Sequence, residues 1–238
     1  MEKKIAVANW KMNPQTFREA EELLFSIIET VKEQKSTKVI LCPPFVWLTD
    51  LSHKYKNDIS FGAQDVFWED SGAYTGEISP KMLSSSGVEY VIIGHSERRA
   101  LGETDEMINK KLKAALRNGL TPILAVGEKK KSDNRKEILS SQLDVDLKGI
   151  DSSKIIIVYE PVWAIGTGDA ETPEHTIEAV KIIKSVVGDA PVLYGGSIDS
   201  KNVADFISKP EIGGVLVGGA SVDQKEFKKI MEIVSSFQ

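Results

Sequence analysis

Residues 154–160 read Lys-Ile-Ile-Ile-Val-Tyr-Glu and run straight into Pro161. The β-branched run Ile155-Ile156-Ile157-Val158 favours an extended chain, and it offers no polar residue at alternate positions. A strand written this way is apolar on both faces, as in a parallel sheet covered by helices. Seven further short runs of the same character flank it: Lys4–Ala8, Lys38–Cys42, Ile59–Gln64, Tyr90–Gly94, Pro122–Val126, Pro191–Tyr194 and Val215–Gly218. Between them the apolar residues fall three or four apart, which puts them on one face of a helix. Phe17, Ala20, Leu24, Ile27 and Val31 do so, as do Ile108, Leu112 and Ala115, then Ile177, Val180, Ile183 and Val187, and finally Phe227, Ile230, Met231 and Val234. Thr172-Pro173-Glu174 reads as a helix start, with Thr172 as N-cap and Pro173 in the first helical position. Pro43-Pro44 delays the helix that follows Cys42.

Eight strands alternating with eight helical segments can wind an open sheet or close into a (β/α)8 barrel of eight parallel strands. The chain of 238 residues is close to the ~250 residues typical of the barrel. No linker or composition shift divides it. The expectation is therefore one barrel domain spanning residues 1–238. With 41% hydrophobic and 27% charged residues the composition is that of an ordinary folded domain. The net charge of −5 provides no general attraction for nucleic acid or anionic lipid. Cys42 is the only cysteine, which excludes an intrachain disulfide and a cysteine metal cluster. His53, His95 and His175 are too scattered for a zinc helix, and His53 and His175 read as surface or packing residues. The N-terminal apolar run is too short for a secretory signal, and no apolar stretch approaches the ~20 residues of a membrane span. A soluble, cytoplasmic protein without a membrane partner is expected. The basic cluster from Lys129 to Lys136 is interrupted by acidic residues and reads as a solvated loop and helix start.

In a barrel, chemistry collects at the carboxyl ends of the strands. Those positions hold Asn9 and Lys11, Gln64, His95 and Glu97, Glu128 and Glu160. Glycine-rich turns follow the last three strands: Gly166-Thr167-Gly168, Gly195-Gly196-Ser197 and Gly218-Gly219-Ala220-Ser221. Such turns can present N–H groups to a phosphate, the last of them at a short helix N-terminus; tight turns also need glycine for its backbone freedom. Glu160 fits a general base whose pKa is raised by desolvation, or an ion pair at the barrel rim. His95 stands where a helix begins, which suits either a structural cap or a neutral imidazole acting as a hydrogen-bond donor. Lys11 can meet a substrate anion with Glu97 orienting it, or simply pair with Glu97.

Six stretches resemble the triosephosphate isomerase family, in that family's order and across nearly the whole chain. They are Asn9-Trp10-Lys11-Met12-Asn13, Tyr74-Thr75-Gly76-Glu77, residues 93–99 (Ile-Gly-His-Ser-Glu-Arg-Arg), residues 159–168 (Tyr-Glu-Pro-Val-Trp-Ala-Ile-Gly-Thr-Gly), Tyr194-Gly195-Gly196-Ser197 and residues 216–221 (Leu-Val-Gly-Gly-Ala-Ser). The resemblance implies interconversion of dihydroxyacetone phosphate and D-glyceraldehyde 3-phosphate through an enediol(ate), with no cofactor and no metal. By position, Glu160 would be the base and His95 the neutral electrophile. Lys11 would stabilise negative charge, Asn9 would help to line the site and Glu97 would support Lys11. The phosphate would lie on amides of Gly166, Ser197, Gly218 and Gly219. A lid would begin with the stiff hinge Pro161-Val162-Trp163 and continue through Ala164, Ile165, Gly166, Thr167 and Gly168. Thr75, on the loop after the third strand, would reach a second copy and make a homodimer.

The chain departs from that family's usual pattern in places. The distal hinge, commonly Lys, then Thr or Val, then Ala, reads Asp169-Ala170-Glu171; Ala125 replaces a cysteine; and the stretch from Glu128 to Gln142 is shorter than usual. Two other functions compete. One is an aldolase using Lys11 through a Schiff base, against which the His95 and Glu160 constellation argues. The other is a phosphometabolite-binding protein without catalysis, which would not need Lys11, His95 and Glu160 together.

Overall fold

The computed structural model describes residues 3–33, 37–131, 134–165 and 171–237. Eight parallel strands pair in sequence order and close on themselves. They are β1 (Lys4–Asn9), β2 (Thr37–Cys42), β3 (Ser60–Ala63), β4 (Tyr90–Ile93), β5 (Thr121–Val126), β6 (Ile156–Tyr159), β7 (Val192–Tyr194) and β8 (Gly214–Val217). The closing pair is β1 with β8, in the register Ile5↔Gly214 through Ala8↔Val217. Each expected strand is present, and the differences are a residue or two at the ends. Lys154, for example, belongs to a 3₁₀ turn (Ser152–Lys154) that leads into β6.

Closure explains why the strand sequences are apolar throughout. Successive side chains point to opposite faces, so Val7, Ile40, Ile92, Ile123, Val158 and Leu193 fill the barrel interior. Their neighbours Ala6, Leu41, Val91, Leu124, Ile157 and Val192 face the surrounding helices. Gly62 of β3 is an inward position with no room for a side chain: a Cβ there would lie 2.7 Å from Cys42 Sγ and 3.2 Å from Tyr90 Cβ.

The outer layer is α1 (Phe17–Glu33), α2 (Phe45–Tyr55), α3 (Pro80–Ser85), α4 (Ser96–Ala100), α5 (Asp105–Arg117), α6 (Arg135–Asp146), α7 (Pro173–Val187), α8 (Val203–Ile207) and α9 (Gln224–Ser236). The predicted faces of α1, α5 and α9 are the ones packed on the barrel, as are Val180, Ile183 and Val187 of α7, where Thr176 and Ala179 are buried in place of the expected Ile177. Helix α2 starts only after Pro44, as the Pro-Pro pair requires. Thr172 caps α7, its hydroxyl accepting the His175 N–H at 3.3 Å. The short helices α3, α4 and α8 carry too few turns to show a periodic pattern. After β8 the chain forms a 3₁₀ turn (Gly219–Val222) rather than an α-helix, in which Ser221 Oγ donates to Gly218 O at 2.7 Å.

Candidate active site

The end of β1 places Lys11 under constraint. Its φ of +53° is left-handed, a region that costs energy for a residue with a Cβ. Two side chains hold it there. Asn9 Oδ1 accepts the Lys11 N–H at 3.1 Å, and Gln64 Nε2 donates to Lys11 O at 2.8 Å and to Cys42 O at 2.9 Å. The Lys11 ammonium pairs with Glu97 Oε1 at 2.5 Å. Gly218 leaves the aliphatic stem its path: a Cβ at that position would lie 3.2 Å from Lys11 Cε.

His95 is the N-cap of α4, and its Nδ1 accepts the Glu97 N–H at 3.2 Å. With Nδ1 committed as an acceptor, the ring proton is assigned to Nε2, which faces Glu160 Oε1 at 2.9 Å. The other Glu160 oxygen accepts the Ser96 N–H at 3.0 Å. Burial lowers the imidazole's pKa, but the facing Glu160 outweighs it and leaves the value above the ordinary one. A second proton would have to displace the Glu97 N–H from Nδ1.

Glu160 corrects an expectation. Burial alone would raise its pKa, and the carboxylate is indeed almost fully buried. The facing His95, the Ser96 N–H and Lys11 together outweigh that burial and hold it below the usual glutamate range. One oxygen accepts the Ser96 N–H and the other faces the imidazole, and both neighbours favour the charged form.

These groups line a cavity of about 230 Å³ at the carboxyl ends of β6–β8 and β1. Lys11, His95 and Glu160 line it together with Gly195-Gly196-Ser197 and Gly218-Gly219. Ser197 Oγ donates to Ala164 O at 2.6 Å, and Asn202 Nδ2 donates to Ser197 O at 3.0 Å. A larger hollow of about 410 Å³ lies at the opposite end of the barrel, beside Lys4, Pro191 and Gly213. It lacks the histidine–carboxylate pair and is at the end where barrels keep stability rather than chemistry.

Most of the predicted site residues converge here. Asn9 and Glu97 do not line the cavity; they hold Lys11 from behind. Pro161 leads into a 3₁₀ turn (Val162–Ala164), and Trp163 Nε1 donates to Glu128 Oε1 at 3.3 Å. Ile165 lines the cavity, whereas Gly166, Thr167 and Gly168 lie outside the described residues, as do Asp169 and Ala170 of the distal hinge. Thr75 is exposed on the β3–α3 loop.

A sequence profile described as "Triosephosphate isomerase" matches residues 4–234. The chain belongs to the triosephosphate isomerase family. Relatives bearing that name include proteins of a Synechococcus species, 44% identical over 95% of each chain, and of a Nostoc species, 44% identical over 97% of this chain and 99% of the other. One from a Thermoanaerobacter species is 43% identical over 97% and 99%. Family membership makes the chain an isomerase, and among its described residues no helix is long and apolar enough to cross a membrane.

Two features of this family member were not singled out from its sequence. Ser96 supplies a backbone N–H to Glu160; its place directly after His95 was the available signal. Arg135, within the basic run read as solvated, instead turns inward. Its guanidinium meets Glu128 Oε1 at 3.1 Å and Glu171 Oε2 at 2.7 Å, while Lys129, Lys130 and Lys136 are exposed.

Proposed function

We propose that this chain interconverts dihydroxyacetone phosphate and D-glyceraldehyde 3-phosphate by proton transfer through an enediol(ate), with Glu160 as base, His95 as neutral electrophile and Lys11 as the cation facing developing negative charge. The observation that carries the reading is the Glu160 carboxylate facing His95 Nε2 at 2.9 Å, in a cavity also lined by the glycine turns after β7 and β8. Abstraction of a proton beside a carbonyl needs both halves of that pair: a base on the carbon and a donor on the oxygen.

The substrate-free geometry also implies an order of events. Substrate entering the cavity takes the His95 Nε2–H for its carbonyl oxygen, and Glu160 turns from His95 and Ser96 toward the carbon. The carboxylate then keeps its burial and loses its donors, so its proton affinity rises where abstraction requires it. His95 Nε2 gives its proton to the former carbonyl oxygen and takes one from the neighbouring hydroxyl, Glu160 returns its own proton to the neighbouring carbon, and the pair is reset. Asn9 and Glu97 keep Lys11 in place during this cycle. Amides of Ser197, Gly218 and Gly219, with Gly166, hold the phosphate. Residues 161–168 act as the lid that excludes water from an intermediate prone to lose phosphate. No cofactor or metal takes part, and the enzyme works in the cytoplasm.

The active form on this reading is a homodimer in which Thr75 enters the partner's site. Exposed apolar side chains support it: Met12, Val46, Tyr74, Met82 and Leu101 follow the ends of successive strands β1 to β4. They are five of the seven large apolar side chains exposed among the described residues, and exposed apolar surface collected at one end marks a contact face.

The test is conversion of D-glyceraldehyde 3-phosphate, with the product read by a coupled NADH-dependent dehydrogenase. Wild-type turnover should be fast and saturable. Glu160→Gln should lose roughly 10²–10⁴ in kcat, the range for a positioned acid–base group, while still binding a phosphate analogue. An unchanged kcat would exclude Glu160 as the base.

A further inference from the structure

A second buried ionic cluster lies behind the cavity, and the chemistry proposed above makes no use of it. Glu128, after β5, and Glu171, before α7, both have fully buried carboxylates. Arg135 lies between them and spends three nitrogens on them and their surroundings. Nε donates to Glu128 Oε1 at 3.1 Å, Nη2 to Glu171 Oε2 at 2.7 Å and Nη1 to His175 O at 3.2 Å.

What each carboxylate holds gives the cluster its direction. Glu128 Oε1 also accepts Tyr159 Oη–H at 2.9 Å and Trp163 Nε1–H at 3.3 Å, and Glu128 O accepts the Val162 N–H at 3.1 Å. The residue before Glu160 and the segment just after it are thus tied to one oxygen. Lys131 covers the outer face of the Trp163 ring at 5.0 Å. On the other side, Glu171 Oε1 accepts the Thr172 N–H at 3.0 Å and faces His175 Nδ1 at 3.3 Å. The Glu171 N–H itself donates to Tyr194 Oη at 3.1 Å. Arg135 therefore joins the chain entering the loop after β6 to the chain leaving it, through contacts shielded from water, where a charged hydrogen bond is strongest.

We propose that Arg135 is a positioning residue for Glu160, with Glu171 as its second anchor: together they clamp Tyr159, Trp163 and the start of α7 into one rigid unit that fixes where the Glu160 carboxylate is presented. This rests on the reading of Glu160 as the base. A lysine cannot replace Arg135, because one ammonium nitrogen cannot span three acceptors that the guanidinium fork reaches together. A glutamine at 171 keeps the shape of the side chain and removes its charge.

The experiment compares wild type, Glu171→Gln and Arg135→Lys by coupled-assay kinetics, thermal unfolding and ¹⁹F NMR of protein labelled with 5-fluorotryptophan, with the Trp163 resonance assigned through Trp163→Phe. The clamp predicts that both variants shift or broaden the Trp163 resonance. Both should lower kcat by about tenfold, as expected when a reacting group is held less accurately, with KM altered less than about twofold. If Arg135→Lys does not fold, Glu171→Gln carries the test. Folded variants with wild-type kcat overturn the proposal whatever their melting temperature or spectrum, since the cluster would then be structural only. A fall in kcat with an unmoved Trp163 resonance overturns the clamp as the route. A wild-type protein without isomerase turnover overturns the functional reading and this inference with it, whereas wild-type turnover with intact variant rates overturns this inference alone.

Discussion

On the proposed mechanism, Glu160 has its proton affinity set by groups it gives up in order to react. In the substrate-free protein the facing His95 and the Ser96 N–H oppose the effect of burial. The acid limb of the free enzyme's kcat/KM profile should therefore lie below the ordinary glutamate pKa of about 4.3. Replacing His95 by Gln removes the strongest opposing influence and leaves the burial, so the same limb should move to higher pH while the rate falls. A pH series of kcat/KM for wild type and His95→Gln measures this, and a limb that does not move would show that His95 does not tune Glu160. The sequence marked both residues through their positions at strand ends, but it suggested a raised pKa. Burial can be guessed from an apolar run, whereas the donors facing a carboxylate come from other strands.

At the scale of elements, α4 is joined to the barrel and to α6 through Arg99. The guanidinium donates to Gly94 O at 2.8 Å, Ala125 O at 3.3 Å and Asp146 Oδ2 at 2.8 Å, and it also pairs with Asp105. One cation thus serves two carboxylates and the carbonyl ends of β4 and β5, directly behind His95. Asp146 is pushed up to about 7, by burial first and by Asp105 as well, with Arg99 pulling the other way. A carboxyl whose pKa is higher in the folded chain binds its proton more tightly there. Its stabilising contribution is complete below the unfolded value of about 4 and is lost as the pH rises through about 7. Asp146→Asn should flatten that part of the pH dependence. Urea unfolding of both proteins at mildly acidic and mildly alkaline pH checks it; parallel slopes would exclude Asp146 as the titrating group.

For the whole molecule, the concentration of apolar side chains beyond β1–β4 predicts association. Wild type should sediment at twice the chain mass at micromolar concentration. Thr75→Arg, at the exposed loop tip, should shift the protein toward a single chain with a several-fold loss of specific activity, because a buried unpaired charge opposes the contact. A wild-type mass of one chain, independent of concentration, would contradict the dimer.

Local patterns were legible because their causes are local. A continuous β-branched run is extended and covered on both faces wherever it lies, so eight strands could be counted; Pro44 and Thr172 mark helix starts through their own backbone and side-chain chemistry. Residue types suited to acid–base work could likewise be listed at strand ends. Closure was decided at long range, by the pairing of Ile5 with Gly214, and it determines which of those side chains meet. It brings Lys11, His95 and Glu160 to one cavity while Asn9 and Glu97 stay behind Lys11. It also turns Arg135 inward from a basic run whose composition alone describes a solvated loop. Strand and helix periodicity depends on neighbours a few residues away, whereas the charge state and partners of a buried group depend on residues that only barrel register brings within hydrogen-bond reach.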